Sequence, residues 1–171
     1  LDNSPTIGGK PDYEKIKKLK NVKCLIMDSL DSCVDGKTPS EMVAKEMLRD
    51  ALLNVDNHGK NIVVTTFSSH VARLKSIAEL GRKMGRKVVF LGRSLNRYVQ
   101  AAKEEKLVNF SHVEVIAYRN KISKKLNEIS KRRGEYLIAC TGNQGEKNAV
   151  LSRMARGEYK FKFHTGDHVI F

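Results

Sequence analysis

From Asn61 to Phe67 the chain reads NIVVTTF, a nearly unbroken apolar run rich in β-branched residues. A strand with one wet face alternates apolar and polar side chains. A run like this one predicts a strand covered on both faces, as in a parallel sheet between helix layers. Comparable short runs recur at Val22–Met27, Lys87–Leu91, Val113–Ala117, Tyr136–Cys140 and His168–Phe171. The intervening segments carry helical spacing. Asp12–Lys20 has Tyr13, Ile16 and Leu19, and the next runs to about Asp56 with Val43, Met47, Leu48, Ala51, Leu52 and Val55 on one face. Ser68–Arg82 follows with Val71, Leu74, Ile77, Ala78 and Gly81; then come Leu95, Tyr98, Val99 and Ala102, then Ile122, Leu126 and Ile129, and finally Val150, Leu151 and Met154. This alternation predicts an α/β fold: a mostly parallel sheet with helices on both faces, three layers in all. The 171 residues suffice for one domain with a full core.

Local chemistry marks the ends of these elements. Thr38-Pro39-Ser40-Glu41 predicts a helix start, with Thr38 as the cap, Pro39 at the first helical position and Glu41 completing a capping box. In a parallel sheet the strand carboxyl ends share one edge. Asp28-Ser29, Phe67-Ser68-Ser69, the turn Gly92-Arg93-Ser94 and the loop Thr141–Gly145 are all predicted just beyond strand ends, so they converge on one polar rim.

The loop within YLIACTGNQGEKNA is the most suggestive part of that rim. A strand-to-helix junction offers free backbone N–H groups and the positive end of a helix dipole to an anion. Gly142 and Gly145 leave that backbone open, Asn143 and Gln144 can donate hydrogen bonds, and Glu146 is expected in the first helical turn. An ordinary turn that needs glycine for positive φ fits the same residues. Asp28 could orient a ligand or hold a proton, though aspartate is also a common turn former. Ser68 and Ser69 could contact phosphate oxygens, or Ser68 could simply cap its helix. Arg93 and Ser94 follow a strand, where arginine suits bidentate phosphate contact, whereas Arg73 is placed inside a helix and expected to be solvated. His70, in the first turn of its helix, is the one histidine beside the rim. The sequence contains no H-x-H-x-D-H, no H-E-x-x-H and no glycine loop ending in Gly-Lys-Ser/Thr, which weighs against a metal centre within the chain and against nucleoside triphosphate hydrolysis.

Charge points to a partner. The formal net charge is +13, and between Tyr118 and Lys162 there are 12 Lys or Arg against 4 Glu, a net +8. A surplus of this size favours a polyanion, while a merely lysine-rich surface is the plainer alternative. Cys24, Cys33 and Cys140 form no C-x-x-C pair, and Cys24 and Cys140 fall inside predicted apolar strands, which suits small buried thiols, kept reduced, in a cytoplasmic protein. No apolar stretch is long enough to span a bilayer, and no membrane role is expected.

Taken in order, VVTTFSSHVARLKSIAELGRKMGRKVVFLGRSL, IACTGNQGEKNAVLSRMARGEY and HTGDHVIF resemble the β-CASP domain of ribonuclease J, a metallo-β-lactamase-fold ribonuclease family of bacteria and archaea. LDNSPTIGGKPD is similar to the end of the metallo-β-lactamase half. The resemblance implies a lead-in over residues 1–37, including the strand ending at Asp28, and a β-CASP α/β domain over 38–171. It implies that Asp28 is an acidic residue near the catalytic centre and that Ser68, Ser69, Gly142, Gln144 and Gly145 line an RNA channel. His70 and Asn143 stand where the family often has Asn and Ser, and Arg93 is a further phosphate contact. The parent protein is expected to bind two zinc ions through histidines and an aspartate that this chain lacks, so the chain alone is expected to bind no metal and to be inactive.

The expected function is therefore the RNA-binding β-CASP portion of a zinc-dependent exo- or endoribonuclease, acting on single-stranded RNA with the metallo-β-lactamase half as partner; a homo-oligomer stays open. The alternatives are a free-standing, non-catalytic nucleic-acid-binding module and, less favoured, a nucleotide-binding enzyme.

Overall fold

Successive strand residues point to opposite faces of a sheet, so a sheet of uniformly apolar strands needs cover on both sides. The computed structural model describes residues 5–27, 29 and 32–171. Strands β1 (Ile62–Thr65), β2 (Lys87–Leu91), β3 (Val113–Ile116), β4 (Tyr136–Cys140) and β5 (His168–Ile170) form one sheet in the order β3-β2-β4-β1-β5. Every pairing is parallel. On one face Ile62, Val88, Phe90 and Leu137 pack under helices α2 (Glu41–Leu53), α3 (Val71–Lys83) and α4 (Arg93–Glu104). On the other, Val63, Val89, Leu91 and Ile138 pack under α5 (Arg119–Lys131) and α6 (Val150–Ala155). The predicted three-layer α/β arrangement is thus the observed one. Gly81 lets α3 lie close to the sheet, because a Cβ there would stand 2.4 Å from Val88 Cγ2.

Two buried polar clusters tie the amino edge of the sheet. Arg86 donates to the carbonyls of Lys60 at 2.9 Å, Tyr136 at 2.9 Å and Asn57 at 2.6 Å. Asp167 accepts from the backbone N–H of Asn61 at 3.0 Å and of His164 at 2.9 Å, and pairs with Arg133. Burial alone would raise the Asp167 pKa, but these donors, with His164 N–H and Arg133 foremost, hold it below the ordinary value.

Several local expectations are corrected. Residues 22–27 form no strand: they join no ladder of the sheet, and their side chains are exposed, Ile26 by 93%. A strand needs a neighbour for its backbone and cover for its apolar face, and the described residues supply neither. Helix α1 is confined to Tyr13–Lys17. The cap of α2 is Ser40, whose Oγ accepts from Val43 N–H at 3.4 Å, and not Thr38. Leu48 and Leu52 are buried but Val43, Met47 and Val55 are exposed, so only one edge of the apolar stripe meets the sheet. Helix α3 starts at Val71 and is capped by His70, not Ser68. Arg93 and Ser94 are not a turn; Gly92, at φ 135°, makes the turn and they open α4.

Candidate nucleic-acid interface

Thr65, Cys140 and Leu91 lie opposite one another in the β1–β4 and β4–β2 ladders, so three neighbouring strands end level. Their carboxyl ends continue directly into Phe67–His70, Thr141–Gly145 and Gly92–Ser94. Thr66 N–H donates to Cys140 O at 3.2 Å, and Leu151 N–H donates to Thr141 O at 3.2 Å. The start of α6 draws two of these loops together. A Cβ on Gly142, where φ is 130°, would meet Leu151 Cβ at 2.7 Å, and one on Gly92 would meet Val150 Cγ2 at 3.6 Å.

On this rim Ser68, His70, Ser94 and Asn143 are half-buried, Ser69, Arg93, Gln144 and Gly145 are exposed, and Gly142 is buried. Asp28 lies outside the described residues. Asn143 Oδ1 is buried without a hydrogen-bond partner, a polar atom whose desolvation is not compensated within the chain. The dipole expectation fails here. Helix α6 is a six-residue element that begins only at Val150, so Glu146 is a loop residue; its carboxylate already accepts from Gln144 N–H at 3.1 Å.

A feature that the sequence does not announce sits beside the Phe67–His70 loop. Glu41, only 9% exposed, accepts from Arg73 Nε at 2.7 Å and from its terminal nitrogen at 2.9 Å, and lies 3.4 Å from His70 Nε2. Hydrogen bonding to Glu41 raises the Arg73 pKa. His70 Nδ1 accepts from Arg73 N–H at 3.2 Å, so the ring caps the helix as an acceptor through that nitrogen. Arg73, expected to be solvated, and Glu41, expected in a capping box, instead lock α2 to α3 and fix the loop that carries Ser68 and Ser69. The partners are 32 residues apart, a separation that leaves no spacing signal in sequence.

A family model described as Ribonuclease J, beta-CASP domain matches residues 59–171. The chain belongs to the ribonuclease J β-CASP domain family. It is 45% identical over 175 residues to the Ribonuclease J of Methanocaldococcus jannaschii and 41% identical over 173 residues to that of Pyrococcus abyssi. Both alignments take in the whole of this chain but only 39% and 38% of the relative. The Ribonuclease J of Sinorhizobium meliloti is 31% identical over 180 residues, with 29% of its length covered. The chain thus spans about two fifths of the length of the archaeal relatives.

In this β-CASP domain the basic surplus gathers on α5 and the segment after α6. Ile122, Leu126 and Ile129 are buried, which leaves Lys121, Lys124 and Lys131 outward with no ion pair among the described residues. Lys125 is neutralised by Glu114 at 2.9 Å and Glu128 at 2.8 Å. Among the described residues no group of three or more His, Cys, Asp or Glu side chains is placed to hold a metal ion. No helix of the described residues is long and apolar enough to cross a membrane.

Proposed function

We propose that this chain is the RNA-binding portion of a zinc-dependent ribonuclease of the ribonuclease J type, gripping single-stranded RNA at the carboxyl edge of its sheet. The observation that carries the reading is the level ending of β1, β4 and β2, which aligns three polar loops on one rim in a strongly basic chain. Ser68, Ser69, Gln144 and the open backbone at Gly145 are assigned to phosphate and ribose contacts, with Asn143 and Arg93 beside them. His70 acts by capping α3 at the end of the loop that carries Ser68 and Ser69. Asp28 is assigned to the catalytic centre.

In this reading the two zinc ions and the hydrolytic step belong to a metallo-β-lactamase half outside the chain, and the chain alone does not cleave RNA. Exonucleolytic hydrolysis of RNA from the 5′ end is the favoured reaction of the whole cytoplasmic enzyme, with internal cleavage as a second mode. Residues 1–37 are assigned as lead-in from the metal-binding half. The exposed Leu25, Ile26 and Met27, with Val43 and Met47 of α2, support a large apolar contact there.

Photocrosslinking of a 4-thiouridine-labelled, 5′-monophosphorylated single-stranded RNA tests the site. Crosslinked peptides should contain Phe67–His70 and Thr141–Glu146. Crosslinks confined to α2 or α3 would remove the rim from the account.

A further inference from the structure

Segment 158–162 runs alongside α5 from one edge of the sheet to the other. Arg119, at the amino end of α5, donates to Glu158 at 3.2 Å; farther along, Ser130 Oγ lies 3.4 Å from Lys160 O; and Arg133, beyond the last turn, donates to Lys162 O at 3.3 Å. The segment alternates, with Tyr159 and Phe161 buried in the core and Lys160 and Lys162 turned outward. Two concavities follow this seam and share Tyr159. One, about 540 Å³, is lined by Tyr118, Arg119, Asn120 and Ser123; the other, about 440 Å³, by Ser130, Arg133, Lys160, Lys162 and His164.

The seam begins at the rim. Tyr118 and Arg119 come just after β3, on the same sheet edge as Ser68 and Gly142. Tyr118 is 63% exposed. A solvated tyrosine among cations is the arrangement on which an unpaired base stacks while its phosphates are neutralised. Glu158 is shared by Arg119 at 3.2 Å, Arg153 at 3.8 Å and Arg156 at 2.7 Å, so three arginines to this glutamate leave two positive charges uncompensated. Lys160 and Lys162 have no ion pair among the described residues and continue the cationic track to the far edge. Thirteen helical residues at about 1.5 Å each give the track a length of roughly 20 Å.

We propose that the seam between α5 and segment 158–162 is a second binding track for single-stranded RNA, with Tyr118 stacking a base where the strand leaves the rim and Lys160 and Lys162 neutralising phosphates beyond it. The inference rests on the RNA-binding reading of the rim but assigns different residues and a different face. Unpaired RNA is favoured over duplex because the exposed ring of Tyr118, which lines one concavity, can stack only on a base that is free of a paired helix.

The test is fluorescence anisotropy of the full 171-residue chain with 5′-monophosphorylated single-stranded oligoadenylates of increasing length. Tyr118→Ala and the double change Lys160→Glu with Lys162→Glu should leave the affinity for trinucleotides unchanged. For dodecamers each should weaken binding about tenfold, and the double change should also flatten the salt dependence by about 0.7 in log–log slope for each phosphate no longer neutralised. Circular dichroism melting checks that both variants fold; these side chains are exposed, and Tyr118→Phe should restore dodecamer binding. Wild-type binding that grows with length but is untouched by either change would overturn the track while leaving the rim intact, and the face would then be open to a protein partner. Equal affinity for a duplex dodecamer would also overturn it. Failure of the wild-type chain to bind RNA of any length would overturn both readings.

Discussion

At the scale of single residues, glycine and cysteine chemistry make the sharpest claims. Gly142 and Gly145 both have positive φ, but only Gly142 is hemmed in, with Leu151 Cβ 2.7 Å from where its own Cβ would be. Gly145→Ala meets nothing within 4 Å and should cost about 1 kcal/mol of backbone strain. Gly142→Ala should cost about 3 kcal/mol, because the start of α6 must also move. Urea denaturation of the two variants measures the difference. Cys140 is fully buried, and burial pushes its thiol pKa up to about 12 from 9.0. A raised thiol pKa means the folded state holds the proton more tightly, so stability is complete below pH 9.0 and declines as pH rises from there toward 12. The unfolding free energy of the wild type should therefore fall relative to Cys140→Ala by at most ~1.4 kcal/mol per pH unit in that window. Cys24 and Cys33, both exposed, should react with a thiol reagent at neutral pH while Cys140 does not.

At the scale of elements, α2 divides its apolar residues between two roles. Leu52 is fully buried against the sheet, and Leu52→Ala should destabilise the domain by about 3 kcal/mol. Met47 is 66% exposed, and Met47→Gln should alter stability by less than about 0.5 kcal/mol in the same denaturation assay. Periodicity could find the helix and its stripe but not how much of the stripe the sheet would cover. The same limit explains residues 22–27, whose apolar pattern reads as a strand although no ladder within the described residues receives it. Strands β1, β2 and β4 were legible because two-sided burial writes itself as continuous apolar runs. Their order was not, since alternation alone does not say that β4 inserts between β1 and β2, and that insertion is what brings the Gly142 loop between the other two.

At the scale of the whole molecule, the fold class and the rim could be read from the chain, whereas the Glu41–Arg73–His70 cluster and the α5 seam could not. Both depend on contacts between distant segments, and nothing in the spacing of Glu41 and Arg73 or of Arg119 and Glu158 announces them. Net charge, by contrast, is additive and visible at once. A chain with 32 Lys and Arg against 19 Asp and Glu carries a long-range field whatever its fold, and the fold sets its direction by burying one side of α5 and leaving Lys121, Lys124 and Lys131 outside. If this field serves to hold RNA, binding must release counterions. The most direct measurement is the affinity of the chain for a 5′-monophosphorylated single-stranded RNA across a series of salt concentrations. A linear fall of log affinity against log salt is expected, with a slope of about −3 or steeper. Binding that ignores salt, or no binding at the lowest salt, would contradict it.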